Sequence, residues 1–175
     1  MPVYDDRKLF ELLILEGTQA GLNWEMILKK RENYCEAFHN FDPVKIACYS
    51  KKDVKRLLSN PGIIRNRLKI EATIINAKKF LQIQKEFRSF DKYIWQFVGS
   101  KPIKHAFKSL SELPSTTKES DAMSKDLKKR GFKFIGSTIC YAFMQAVGMV
   151  NDHFVNCFRY DKVSKIKRTY RQNKT

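Results

Sequence analysis

The sequence has no unbroken apolar run near the roughly eighteen residues that a membrane helix needs. Its opening, Met1-Pro2-Val3-Tyr4-Asp5-Asp6, lacks the basic start and apolar stretch of a secretory signal. A soluble protein of the cytoplasm is the expectation. None of the four cysteines, Cys35, Cys48, Cys140 and Cys157, forms a C-x-x-C pair, and in that compartment they stay reduced, so no disulfide framework is expected. No segment alternates apolar and polar residues as a half-buried strand does, and no fixed-period repeat is present. Acidic residues are scarce: 18 Asp and Glu stand against 34 Lys and Arg, for a net charge of +16.

A field of that sign attracts polyanions and speeds their encounter, which points to nucleic acid. Seven of the basic residues lie in the tail from Arg159 to Thr175, and the remainder of the chain is still basic without them. A soluble protein with an incidentally basic tail is the plainer alternative. The 175 residues suit one domain, and with 43% apolar residues the chain can bury a real core. Residues 1–158 are read as that domain and 159–175 as a basic, disordered tail. Apolar residues recur at three- and four-residue spacing over Lys8 to Leu15, Trp24 to Phe38 and Ile63 to Phe87, so the predicted fold class is all-α, a single compact helical domain. Asp42-Pro43 reads as a cap and first turn, and Ser50-Lys51-Lys52-Asp53 as a capping box. Lys101 to Ser120 reads as a connector. Helices are expected from about Asp121 to Arg130 and from about Ser137 to Val147, with Gly148 as terminator and another helix starting near Asn151.

The segment Lys128-Lys129-Arg130-Gly131-Phe132-Lys133-Phe134-Ile135-Gly136-Ser137-Thr138 places a short turn between two of those helices. Gly131 can end the first helix at positive φ, Gly136 lets the backbone approach a ligand closely, and Ser137 or Thr138 can cap the second helix. Free N–H groups at a helix start make an anion site that suits a phosphate. This is the pattern of a helix-hairpin-helix, a sequence-independent grip on a DNA backbone, with Lys129, Arg130, Gly131, Lys133, Gly136, Ser137 and Thr138 as its candidate contacts. An ordinary tight turn with a solvated basic face has the same composition. A second helix–turn–helix at Leu58 to Arg65 is read as structural.

Glu16 is the candidate catalytic group. Leu13, Leu12 and Leu9 lie three, four and seven residues before it, which puts its carboxyl on an apolar helix face. A buried carboxylate without a partner is costly, so something must satisfy it: a ligand with N–H donors and positive charge, or a neighbouring Lys or Arg. Trp24 offers a stacking face for a planar cation, though a core role fits it too. Gly21-Leu22 could act as an apolar wedge in a base step, or Leu22 could pack under a turn. His153 and Cys157, four apart, share a helical face; they are half of a zinc site or two core residues.

Leu15-Glu16-Gly17-Thr18-Gln19-Ala20-Gly21-Leu22-Asn23-Trp24 resembles the signature of the DNA-3-methyladenine glycosylase I family. So do Leu28 to Tyr34, Asn60 to Lys69, the Lys128 to Ala146 unit and Val150-Asn151-Asp152-His153. The resemblance implies a base-flipping N-glycosylase of the helix-hairpin-helix superfamily, acting on double-stranded DNA with alkylated bases, as a monomer. In that family Glu16 would hydrogen-bond the flipped base, Trp24 would line its pocket, and Gly21 and Leu22 would fill the gap it leaves. His153 and Cys157 would be two of the four ligands of a structural zinc. The other two, a Cys and a His, come in the family from a segment ahead of the match, along with further pocket aromatics, so zinc is expected to be half-liganded here and the pocket open on one side. Asn151 stands where the wider superfamily often has a catalytic Asp, and Asp152 is out of phase with it, so one carboxylate is expected to serve. A 3-methylated adenine already carries positive charge and leaves the sugar readily. No Lys lies in a motif for a Schiff-base step. The expected activity is hydrolysis of the 3-methyladenine N-glycosidic bond in base excision repair. The alternatives are a catalytically impaired DNA-binding remnant and a purely structural helical domain.

Overall fold

The computed structural model of the chain describes residues 1–21 and 24–164. Helices make up most of it, as the periodicity predicts. The first, α1 (Asp6–Gln19), starts where the Asp5 carboxyl accepts from the Lys8 N–H at 2.8 Å. It runs through the protein with Leu9, Phe10 and Leu13 fully buried. Four short helices follow: α2 (Trp24–Lys29), α3 (Arg31–Ala37), α4 (Pro43–Ala47) and α5 (Lys51–Leu58). Asp42 caps α4 through the Val44 and Lys45 amides, and the Ser50–Asp53 capping box opens α5.

The longest helix, α6 (Arg67–Phe87), buries Ile70, Ile74, Ala77 and Phe80 along one stripe. Phe80 packs between Phe10 of α1, with ring centroids 4.9 Å apart, and Phe90 of α7 (Phe90–Ile94), at 4.3 Å. Burying each of these three rings contributes about 2–3 kcal/mol. The Asp6 carboxyl ties α1 to the start of α7: it accepts from the Phe90 and Asp91 amides, both at 2.8 Å, and from Gln84 at 2.6 Å. The Trp95 indole N–H donates to the Val3 carbonyl at 3.0 Å, which fixes the chain just before α1.

Two helices carry the segment singled out above, α8 (Lys118–Lys129) and α9 (Ser137–Ala146), packed against each other. The start of α8 lies three residues before the expected Asp121, because Thr117 and Ser120 form a reciprocal capping box. Gly148 follows α9 in the left-handed region, as expected of a terminator. The helix expected near Asn151 does not form. Val150–Asn151 is instead a short strand, β2, parallel to β1 (Ile103–Lys104). The Ile103 amide donates to the Met149 carbonyl and the His105 amide to the Asn151 carbonyl, which commits this backbone to the pairing. Beyond it, α10 (Arg159–Ser164) gives the first part of the expected disordered tail a helical conformation, and the Asn151 amide donates to the Tyr160 carbonyl at 2.9 Å. Residues 165–175 lie outside the described residues.

Candidate active site and nucleic-acid interface

Glu16 lies on the last full turn of α1 and is 5% exposed. Burial pushes its carboxyl up to about 7 from an ordinary 4.5. No described residue offers it a hydrogen bond or a cation, so the Lys or Arg partner that composition allowed is not found among the described residues. The residue borders an open cleft of about 530 Å³ between α1 and α9, whose walls include Gln19, Ala142 and Gln145.

The end of α1 is secured from α6. The Lys69 ammonium donates to the Thr18 and Ala20 carbonyls, both at 2.7 Å, which satisfies two of the last acceptors of the helix. Lys69 thereby fixes the approach to Gly21. Of the proposed wedge, Gly21 is exposed and Leu22 lies outside the described residues. The Trp24 backbone opens α2; its side chain lies outside what the structure describes.

The turn between α8 and α9 has the geometry that its glycines suggested at one end and differs at the other. Gly131 takes φ +93, and a β-carbon there would meet the Lys79 side chain at 3.0 Å. At the other end, the cap expected from Ser137 or Thr138 is not made. Gly136 occupies the N-cap, and no side chain bonds the first amides of α9. A β-carbon on Gly136 would meet nothing within 4 Å, so the backbone at the start of α9 can be approached closely from that side. Lys129 and Lys133 are exposed beside it. Arg130, expected among the backbone contacts, is engaged elsewhere. It pairs with Glu86 at 2.7 Å and Asp126 at 2.8 Å, and its guanidinium lies 4.9 Å from the Tyr93 ring centroid. Those partners raise its pKa further and leave it little freedom to serve a phosphate.

Asp152 is likewise committed. Its carboxyl accepts from the Tyr141 hydroxyl at 2.6 Å and from Gln145 at 2.7 Å, and lies 2.6 Å from His105 Nδ1. With Asn151 bonded to the α10 backbone, neither residue is aimed at the Glu16 cleft. The expected zinc ligands do meet, with His153 Nδ1 and Cys157 Sγ 3.9 Å apart. No third His, Cys, Asp or Glu joins them among the described residues, so this pair does not by itself fit the four-coordinate geometry of structural zinc. Sequence reading missed Lys69 and Asn76, both on α6. Their roles depend on partners far away in sequence, which no local spacing reveals.

The site thus joins a buried carboxyl beside a cleft to a basic, glycine-bounded turn on a mostly helical frame. Comparison with known proteins narrows this. Residues 1–160 match the family model described as methyladenine glycosylase. The chain is 54% identical over 160 residues to DNA-3-methyladenine glycosylase 1 of Escherichia coli K12, covering 91% of this chain and 86% of that one. It is 51% identical over 156 residues to the DNA-3-methyladenine glycosylase of Haemophilus influenzae, covering 89% and 84%. It also superposes with a TM-score of 0.89 and 38% identity on a 3-methyladenine DNA glycosylase I point mutant crystallised with 3-methyladenine, over 91% of this chain and 86% of that one. The chain belongs to the methyladenine glycosylase family.

Proposed function

We propose that this protein removes 3-methyladenine from alkylated double-stranded DNA, acting as a monomer in the cytoplasm and leaving an abasic site. The observation that carries the reading is Glu16: a buried carboxyl, without a partner among the described residues, beside an open cleft, within a chain that matches the glycosylase family over residues 1–160.

The free amides of α9, with Lys129 and Lys133, take a DNA phosphate as a helix-hairpin-helix does. The extruded base enters the cleft, and the gap is filled from Gly21 and Leu22, with Trp24 against the base. The Glu16 carboxyl accepts hydrogen bonds from the base and faces its positive charge, which returns the group to its ionised form. Water bonds to C1′ of the sugar as the C1′–N9 bond breaks. The electron pair of that bond neutralises the cationic base, and the water gives up a proton to solvent. No general acid is needed, because the leaving group is already charged. Selection against normal adenine follows from charge: a neutral base gains far less from a carboxylate in a water-poor site.

Release of 3-methyladenine from methylated duplex DNA, compared between this chain and Glu16→Ala, tests the reading. Release by the parent chain is expected, with a loss of at least about a hundredfold in the variant, typical of losing a charge-stabilising group, and duplex affinity largely kept. Wild-type excision by Glu16→Ala would remove Glu16 from the mechanism. DNA binding without release by the parent chain would mark it as a binding protein.

A further inference from the structure

The turn between α8 and α9 is held by groups from three other places in the fold. The Asn76 side chain, on α6 and 4% exposed, bonds both backbone groups of Lys133. Its Oδ1 accepts from the Lys133 amide at 2.8 Å, and its Nδ2 donates to the Lys133 carbonyl at 3.0 Å. The next residue, Phe134, has φ +54, a strained conformation for a bulky side chain that persists only where its surroundings impose it. Its carbonyl lies close to α1 at Gly17, where a β-carbon would stand 3.3 Å from the Phe134 oxygen. One residue further, the buried Ser124 hydroxyl of α8 donates to the Ile135 carbonyl at 2.7 Å. Residues 133 and 135 are thus bonded from α6 and α8, with residue 134 lying close to α1 between them, and the next residue is Gly136, where α9 begins. Gly17 is the neighbour of Glu16. The same few residues therefore set the position of the turn relative to the carboxyl.

We infer that Asn76 is a positioning residue for the DNA grip: its two bonds to the Lys133 backbone hold the α8–α9 turn so that the opening amides of α9 and the Lys133 side chain stand at a set distance from Glu16. This rests on the reading that the turn holds a phosphate. A buried amide contributes less to folding than an apolar residue of its size, but it specifies one position for its partner. Lys133 lies at the surface, so water can satisfy its backbone groups if Asn76 is lost. The turn then moves more than the fold weakens.

The test compares Asn76→Ala, Asn76→Asp and Ser137→Pro for affinity to a duplex carrying a stable abasic analogue. Binding is measured at low and physiological salt and well below the melting temperature of each protein. Ser137→Pro probes the grip itself. Proline suits the first position of a helix, Gly136 has an extended ψ of 161 that tolerates a following proline, and the change deletes one of the proposed phosphate donors. Asn76→Ala is expected to lower affinity about tenfold, the loss typical of one hydrogen-bonded contact, with a salt slope smaller by about one. Asn76→Asp keeps the acceptor for the Lys133 amide and is expected to lose about threefold; it carries the test if the alanine variant does not fold. Ser137→Pro is expected to weaken binding as well. Parent affinity in both Asn76 variants, with weakened binding in Ser137→Pro, would overturn the role of Asn76 and leave the grip standing. Parent affinity in Ser137→Pro would overturn the grip and the inference together. A residue that only stabilised the fold would lower the melting temperature and leave the affinity of the folded protein unchanged, which would also overturn it.

Discussion

At the scale of single residues, Glu16 works against the fold that holds it. Its carboxyl has an ordinary pKa of 4.5 and is raised to about 7 by burial. The folded protein therefore binds that proton more tightly than the unfolded chain does. The resulting stability is present in full below the unfolded value and is lost as pH rises through the folded one. Above neutral pH the ionised group costs up to about 3 kcal/mol. Glu16→Gln removes this cost, so its melting temperature is expected to exceed that of the parent, by a margin that widens between about pH 5 and about pH 8. A margin independent of pH would mean that Glu16 is not desolvated. The same ionisation governs activity, and kcat/KM is expected to rise with a midpoint near 7. Arg130 offers the contrast. Joined to Glu86 and Asp126 and laid against two rings, it is structural, so Arg130→Ala is expected to lower stability by about 1–2 kcal/mol and leave the salt slope of DNA binding unchanged. A slope reduced by a full phosphate contact in that variant would return Arg130 to the interface.

At the scale of elements, the α8–α9 turn depends on Gly131. With φ +93 and Lys79 close by, Gly131→Ala is expected to cost about 1–3 kcal/mol and to weaken DNA binding with it, as thermal melting and a duplex titration would show. Unchanged melting would mean that the turn relaxes without this glycine. The helices themselves were legible from spacing and caps: Asp42-Pro43, the Ser50–Asp53 box and the leucines before Glu16 depend on near neighbours in sequence. The start of α8 was not, because its box uses Ser120 where Glu or Gln is usual. Nor was the β1–β2 pairing, in which two residues per strand are too few to show alternation. At the site, the buried place of Glu16 and the glycine-bounded turn could be read from local pattern. The tie between Asn76 and Lys133, fifty-seven residues apart, could not, and neither could the Glu86 partner of Arg130, forty-four residues away. Such pairs form only when the helices pack.

At the scale of the molecule, a net charge of +16 favours the approach of a polyanion, and in the proposed function the placement of particular lysines decides where DNA sits. Lys129→Ala and Lys133→Ala are each expected to reduce the dependence of log affinity on log salt by about one, whereas lysines far from the turn change it less. Equal effects from distant lysines would mean that the field alone, without a docking site, accounts for binding. No helix among the described residues is long and apolar enough to cross a membrane. The frame joins these parts: α1 carries the carboxyl, α6 secures the end of α1 through Lys69 and the turn through Asn76, and α9 supplies both a wall of the cleft and the amides. In the proposed function, base reading and backbone grip would share these helices. The most direct test of this account is single-turnover release of 3-methyladenine from methylated duplex DNA by the 175-residue chain. Release above the buffer control, with normal adenine untouched, is the predicted result; duplex binding without any base release would contradict it.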